Sequence, residues 1–143
     1  MNIIQISVFL ENKPGRLQHV LKVLADNKIN IQTLVISEEN DFGILRMIVN
    51  KPDPAISALK AEHITSSKTD VLAVAIDDKP GALFKLIDTF STRKINIEYM
   101  YAFTGRHNDN AIMIFRFDDI ELAKKALGEE GYTIMKKIDI HGE

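Results

Sequence analysis

Two short runs in this chain, Asn12-Lys13-Pro14-Gly15 and Asp78-Lys79-Pro80-Gly81, have the residue types needed to hold a small anion on main-chain amides. Proline fixes φ just ahead of a helix and glycine lacks a Cβ, so each run can present bare N–H groups at a helix N-terminus. A carboxylate placed there gains about 0.3–1 kcal/mol from the helix dipole and about 1.5–3 kcal/mol from each charge-assisted hydrogen bond. Asn30 and Asn96 follow the helices and carry both a donor and an acceptor for an ammonium or a carboxylate. Together these groups suit a zwitterion. On the residues alone a plainer reading stays open, in which Pro-Gly is a common turn, the asparagines cap strands and nothing binds.

The two runs belong to an internal repeat. Lys13/Lys79, Pro14/Pro80, Gly15/Gly81, Leu17/Leu83, Lys28/Lys94, Ile29/Ile95, Asn30/Asn96 and Ile31/Ile97 are identical pairs, all offset by 66. The shared residues include a turn dipeptide and a polar strand residue, so the repeat preserves a site as well as a core. The 143 residues therefore divide into two small units, residues 1–69 and 70–143, each near the lower size limit for independent folding.

Each copy reads as the same string of elements. Ile4, Ile6, Val8 and Leu10, and then Leu72, Val74 and Ile76, alternate as strands do. Leu17, Val20, Leu21 and Leu24, mirrored by Leu83, Leu86, Ile87 and Phe90, form the stripe of a helix that buries one face. A hairpin follows, its loop at Ser37–Phe42 in the first copy and at Thr104–Asn110 in the second. Beyond the hairpin the offset becomes 68, since the second loop is about two residues longer, an insertion that loops absorb cheaply. Ala55, Ala58 and Leu59 then match Ala123, Ala126 and Leu127 on a second helix, led by Asp53 and by Asp118-Asp119. Last strands are expected near Ile64–Lys68 and Thr133–Ile140. The order βαββαβ implies an α+β fold of two ferredoxin-like units with antiparallel sheets, docked side by side.

The whole arrangement resembles the ACT domain family: an acidic or amide residue, a basic residue, Pro-Gly-x-Leu, an amphipathic helix, then Ile-Asn-Ile. The resemblance covers both halves, essentially residues 3–140. It implies a non-catalytic sensor that binds an L-amino acid at the β1–α1 loops and at the interfaces of paired domains, and so regulates amino-acid metabolism. It also implies a homodimer or higher homo-oligomer and a partner enzyme. The loop residues it marks as ligand-binding are Leu10, Glu11, Asn12, Pro14, Gly15, Arg16 and Leu17 in the first copy, and Ile76, Asp78, Pro80, Gly81, Ala82 and Leu83 in the second. Asn30 and Asn96 complete the two sites. Serine-binding members carry a polar residue where this chain has Leu10 and Ile76, so an apolar wall favours a different side chain. Arg16 faces Ala82 across the repeat and Asn12 faces Asp78, which makes the two sites inequivalent.

Other classes find little support. No cysteine is present, so disulfides and thiolate chemistry are absent, in keeping with a cytoplasmic protein. A net charge of −2 offers no footprint for nucleic acid or an anionic membrane, and no stretch approaches the roughly 18 apolar residues of a spanning helix. His19, His63, His107 and His141 occupy unrelated positions, and the run Arg106–Asn110 lacks the glycine and glutamate of a calcium loop, so no metal or cofactor is expected. No nucleophile has a base beside it. Tyr99, Met100, Tyr101 and Phe103 are expected in core or interface. The alternative to a sensor is a regulatory or structural subunit that acts through protein association with its loops empty.

Overall fold

A computed structural model describes residues 2–105 and 108–142. The elements are β1 (Ile3–Glu11), α1 (Arg16–Asp26), β2 (Ile31–Glu39), β3 (Phe42–Val49), α2 (Pro52–Ala61) and β4 (Ser66–Ile76), then α3 (Ala82–Thr92), β5 (Ile97–Ala102), β6 (Ala111–Phe117), α4 (Ile120–Glu129), β7 (Thr133–Ile134) and α5 (Lys137–His141). They fall into two units. The first holds Ile4–Thr69 and the C-terminal segment from Ile140 onward; the second holds Asp70–Asp139 and the residues up to Ile3.

Both units are ferredoxin-like. In the first, β2, β3 and β1 lie side by side and antiparallel, with Ile31 opposite Val49 at one end and Glu11 opposite Phe42 at the other. In the second, β5, β6 and β4 repeat that order and β7 lies on the far side of β4. The alternation seen in the sequence points Ile6, Val8 and Leu10 to one face with Leu45, Met47 and Val49, where Val20 and Leu24 of α1 and Ala55 and Leu59 of α2 cover them. Both helices therefore pack on one face of the sheet. The second unit fills the same space with Phe90, Phe115 and Phe117 in place of Leu24, Met47 and Val49. Phe90 meets Phe117 edge-on with ring centroids 4.9 Å apart. Such geometry adds roughly 0.5–1.5 kcal/mol beyond burial.

Several sequence expectations are corrected. The Ser37–Phe42 loop is mostly strand: β2 and β3 continue to Glu39 and Phe42, and only Asn40 and Asp41 turn, with Asn40 at φ 54°. A short amide side chain tolerates that left-handed conformation, which lets a two-residue turn close the hairpin. The last strand of the first copy and the first strand of the second are one continuous element, β4. The closing strand of the second copy is two residues long, and the segment expected to extend it to Ile140 forms α5 instead. Asp139 reverses the chain there: its carboxylate accepts from Lys136 N–H at 3.1 Å and its own N–H donates to Lys136 O at 3.0 Å. The spacing of Ile138 and Ile140 mimics a strand, yet Ile138 is 64% exposed and Ile140 is buried. Leu83, placed on the buried stripe of α3, is 38% exposed, while Leu86 and Phe90 carry the packing.

His141 fastens the C-terminal segment to the first unit. Its ring is buried, with Nδ1 2.6 Å from the Val49 carbonyl and Nε2 accepting the Ile4 N–H at 3.3 Å. A carbonyl on one side and an N–H on the other select the neutral tautomer with the proton on Nδ1. The Gln32 side-chain amide also donates to the His141 carbonyl at 3.1 Å.

Helices α1 and α3 both end on a lysine in the left-handed region, Lys28 and Lys94, each at φ 58°. The following N–H groups of Ile29 and Ile95 then reach back to Leu24 O and Phe90 O at 2.9 Å. Glycine adopts this conformation without the Cβ clash, at some cost in unfolded-state entropy. Lys28→Gly is therefore expected to stabilise the protein by about 0.5–1 kcal/mol. Urea unfolding checks it, and a loss of stability would show that the lysine stem contributes more than its backbone strain removes.

Candidate functional site

The Pro-Gly runs fold as their residues require. Gly15 and Gly81 sit at the N-caps of α1 and α3 with φ of 89° and 87°, the left-handed region in which an L-residue costs roughly 1–2 kcal/mol. Neither cap receives a side-chain hydrogen bond. Space around both is open, with nothing within 4 Å of where a Cβ would stand. The first loop is held at its base by Asn12 N–H on the Asp41 carbonyl at 3.1 Å, which ties it to the β2–β3 turn. Arg16 N–H donates back to Lys13 O at 3.3 Å and Lys79 O receives Ala82 N–H at 3.2 Å, so both loops make the same bend.

Beside the first loop lies a cavity of about 380 Å³. Leu10, Leu17, Ile36 and Phe42 form its apolar wall, and Glu11, Asn12, Lys13 and Glu38 bring polar groups to it. Gly43 is its floor. This residue stands in β3 directly opposite both Leu10 and Glu38, so the missing side chain leaves room between two neighbouring strands. A glycine inside a strand commonly marks such a close approach. A Cβ there would meet Ile36 Cγ2 and Ser37 O at 3.3 Å.

Electrostatics differ between the two loops. Glu11 faces Lys13 Nζ at 3.2 Å and Arg16 at 3.7 Å, all three exposed. The Lys13 ammonium, hydrogen-bonded to Glu11, and then the charge of Arg16 hold the Glu11 carboxyl below its ordinary range. Arg16, counted among the expected ligand-binding residues, is thus partly engaged by Glu11. In the second loop Asp77 faces Lys79 at 3.4 Å, Asp78 adds another acid, and Ala82 stands where Arg16 is in the first. One loop is net cationic and the other net anionic.

The structure does not bring every expected residue together. Asn30 lies just before β2, where its N–H donates to Asn50 Oδ1 at 2.9 Å and its carbonyl receives Asn50 N–H at 3.0 Å. That pair closes the end of β3 opposite the Gly15 loop. Since β3 has eight residues, the two ends are roughly 24 Å apart. Asn96 is placed likewise, its side-chain amide donating to Asp118 at 3.0 Å. Within one unit, then, neither asparagine joins its loop. Leu10, Glu11, Asn12 and Leu17 line the cavity, whereas Pro14 and Gly15 form the exposed bend behind it.

On the α2 side of the first loop is a further cavity of about 380 Å³, where Arg16 and His19 of α1 approach Glu62, His63 and Ile64. The second unit has its counterpart, about 250 Å³, with Ala82 and Lys85 of α3 near Glu130, Gly131 and Tyr132. These are the same positions under the offsets of 66 and 68, a signal the repeat alone could have supplied. Residues missed in the main cavity, Ile36, Glu38, Phe42 and Gly43, come from the hairpin tip, which only the strand register places beside β1. Arg106 and His107 lie outside the described residues. Among the described residues no group of three or more His, Cys, Asp or Glu is placed to hold a metal, and no helix is long and apolar enough to cross a membrane.

Two tandem ferredoxin-like units, each with a glycine-capped strand-to-helix bend, define a paired-domain architecture. The sequence profile of the ACT domain pair matches residues 1–141, and the chain belongs to that family. It is similar to protein BT0572 from Bacteroides thetaiotaomicron, with 40% identity, 99% of this chain and 96% of the other covered, and a TM-score of 0.91. The regulatory subunit of aspartate kinase from Thermus thermophilus, solved in a ligand-free form, shares the fold at 20% identity, covering 90% and 93%, with a TM-score of 0.62. Its counterpart from Thermus flavus does so at 17% identity, covering 90% of each chain, with a TM-score of 0.64. No curated protein matches the sequence.

The Glu11 cluster supplies a direct test. A depressed carboxyl contributes stability that is present above its unfolded value and lost as pH falls through the folded one. In Lys13→Met the Glu11 carboxyl is expected to titrate at higher pH than in the parent, followed by ¹³C-carboxyl NMR. An unchanged titration would show that the pair at 3.2 Å does not persist in solution.

Proposed function

We propose that this chain is a non-catalytic regulatory module of the cytoplasm that binds an L-amino acid with an apolar side chain beside the β1–α1 loop of its first unit, and in that way regulates amino-acid metabolism. The observation that carries the reading is the cavity in which a lysine, two glutamates and an apolar wall that includes Leu17 of the first turn of α1 meet over Gly43. Lys13 and the first-turn amides are suited to the ligand carboxylate, Glu11 or Glu38 to its ammonium, and Leu10, Leu17, Ile36 and Phe42 to its side chain. Its volume falls within the range of roughly 300–1,000 Å³ usual for small-molecule pockets. The names of the aspartate kinase regulatory subunits agree with a role in amino-acid metabolism, though those names describe those proteins.

The second loop, net anionic and with Ala111 at the position of Gly43, is the weaker site in this reading. A melting scan against each of the twenty amino acids is the test. A ligand present at about 100 times its dissociation constant stabilises by about 2.7 kcal/mol. Leucine-like or aromatic ligands are expected to raise Tm, with the shift lost in Lys13→Glu. A flat profile across all twenty would remove the sensing proposal.

One feature favours a second reading, association through the edge of the first unit. Strand β2 ends the strand order there and exposes Leu34 (43%) and Ile36 (46%). A homodimer built on that edge, and a partner enzyme engaged the same way, would need no ligand. Light scattering with and without the effective amino acid separates the two: an assembly indifferent to ligand and to Lys13→Glu favours association alone.

A further inference from the structure

The β1–β3 ladder stops one rung short. Its partners keep a single register, with Leu10 opposite Gly43, Val8 opposite Leu45 and Ile6 opposite Met47. Just past its far end Asn12 N–H still reaches Asp41 O in that register, whereas Phe9 N–H points the other way, to Thr65 O. Even-numbered amides of β1 therefore face β3. The same register aims Ile4 N–H at Val49 O, and both residues belong to their strands, yet the pairing ends at Ile6 and Met47.

The imidazole of His141 takes the place of that rung. Nε2 accepts the Ile4 N–H at 3.3 Å and Nδ1 lies 2.6 Å from the Val49 oxygen, so one ring bridges the two strands. It is 3% exposed. Only a neutral ring fits, because one nitrogen must accept while the other donates. A second proton would set N–H against N–H at Ile4 and bury a charge, two costs that undocking removes. Around the ring β1 brings Ile4 and Gln5, β3 brings Val49 and then Asn50, and β2 brings Gln32, whose amide donates to His141 O; none of these is charged. The charged groups nearest along the chain are Lys51 after β3, and Lys137 and Asp139 on α5, with the Asp139 carboxylate already taken by Lys136 N–H. Met1 and Glu143 lie outside the described residues.

We propose that His141 is a pH-sensitive latch: the C-terminal segment stays docked on the first unit while the imidazole is neutral and leaves when it takes a second proton. An undocked imidazole gains a proton near about pH 6.5 and the docked ring has no place for one, so the docked state holds fewer protons and weakens as pH falls. Each pH unit below that point lowers the docking constant by up to roughly tenfold. The latch sits at the Val49 end of β3 and the amino-acid cavity at the Phe42 end, so neither proposal rests on the other.

NMR of the full chain between pH 8 and pH 5 tests the latch. Imidazole ¹⁵N shifts report the tautomer and charge of His141, and hydrogen exchange of the Ile4 amide, corrected for its intrinsic rate, reports docking. Protection at Ile4 is expected to fall at least tenfold from pH 7 to pH 5 as His141 becomes charged, while the Ile6 amide inside the ladder changes little. His141→Gln, whose amide can accept from Ile4 and donate to Val49 without titrating, is expected to remove the pH dependence; His141→Phe is expected to lower protection equally at both pH values. Protection at Ile4 that is as flat with pH in the parent as in these variants, or a charged His141 with Ile4 still protected, would overturn the proposal. The parent's own profile decides the matter even if His141→Gln docks poorly.

Discussion

The backbone at Gly15 and Gly81 is the constraint on which the rest depends. At φ of 89° and 87° the chain leaves a strand and enters a helix within a few residues, a reversal that side chains with a Cβ resist by roughly 1–2 kcal/mol. Because the reversal is made by conformation and not by a capping side chain, the first amides of α1 and α3 are left without the usual serine, threonine or aspartate oxygen. By contrast, Asp119 does cap α4, its carboxylate accepting Leu122 N–H at 3.1 Å. Helix α2 lacks a side-chain cap as well, so of these four helices α4 alone is closed in the ordinary way. One local conformation both folds each unit and leaves the start of its first helix without a side-chain cap.

The two units share this turn and diverge around it. Glu11, Lys13 and Arg16 leave the first loop with one excess positive charge; Asp77, Asp78 and Lys79 leave the second with one excess negative charge. Gly43, which opens the floor of the first cavity, corresponds to Ala111 opposite Ile76 in the second. Core packing diverges in the same sense, aliphatic around Leu24, Met47 and Val49 and aromatic around Phe90, Phe115 and Phe117. The phenylalanine cluster, with ring centroids 4.9–5.5 Å apart, anchors the second unit. The first unit keeps the more open and better charged site.

Local signals were legible in the sequence and long-range ones were not. The repeat, the order of elements and the glycine-capped bends follow from periodicity and turn chemistry, which act within a few residues of each other. Hairpin closure was harder, because a loop of Ser37–Phe42 and a two-residue turn at Asn40–Asp41 have the same polar composition and differ only in one left-handed residue. Ile138 and Ile140 alternate as a strand would, and only the Asp139 turn and burial of His141 make the segment α5. The shared motif groups Asn30 with its loop, while strand register within the first unit sets it at the opposite end of β3. Register also brings Phe42 and Gly43 to the site, which no spacing along the chain reveals.

That register also bears on how a bound molecule would be felt elsewhere in the first unit. The cavity is bounded by the β1–α1 loop on one side and by the tip of the β2–β3 hairpin on the other, and the Asn12–Asp41 bond joins them beyond the end of the β1–β3 ladder. A ligand filling this space adds contacts across the same gap, so it opposes any motion that separates hairpin from loop. Ile36 belongs at once to the cavity wall and to the exposed edge of β2. Covering it with a ligand side chain removes apolar area from that edge and fixes its rotamer, whereas an empty cavity leaves it free to repack. Sensing and association therefore draw on one side chain, which gives the two readings of this protein a common physical origin in β2.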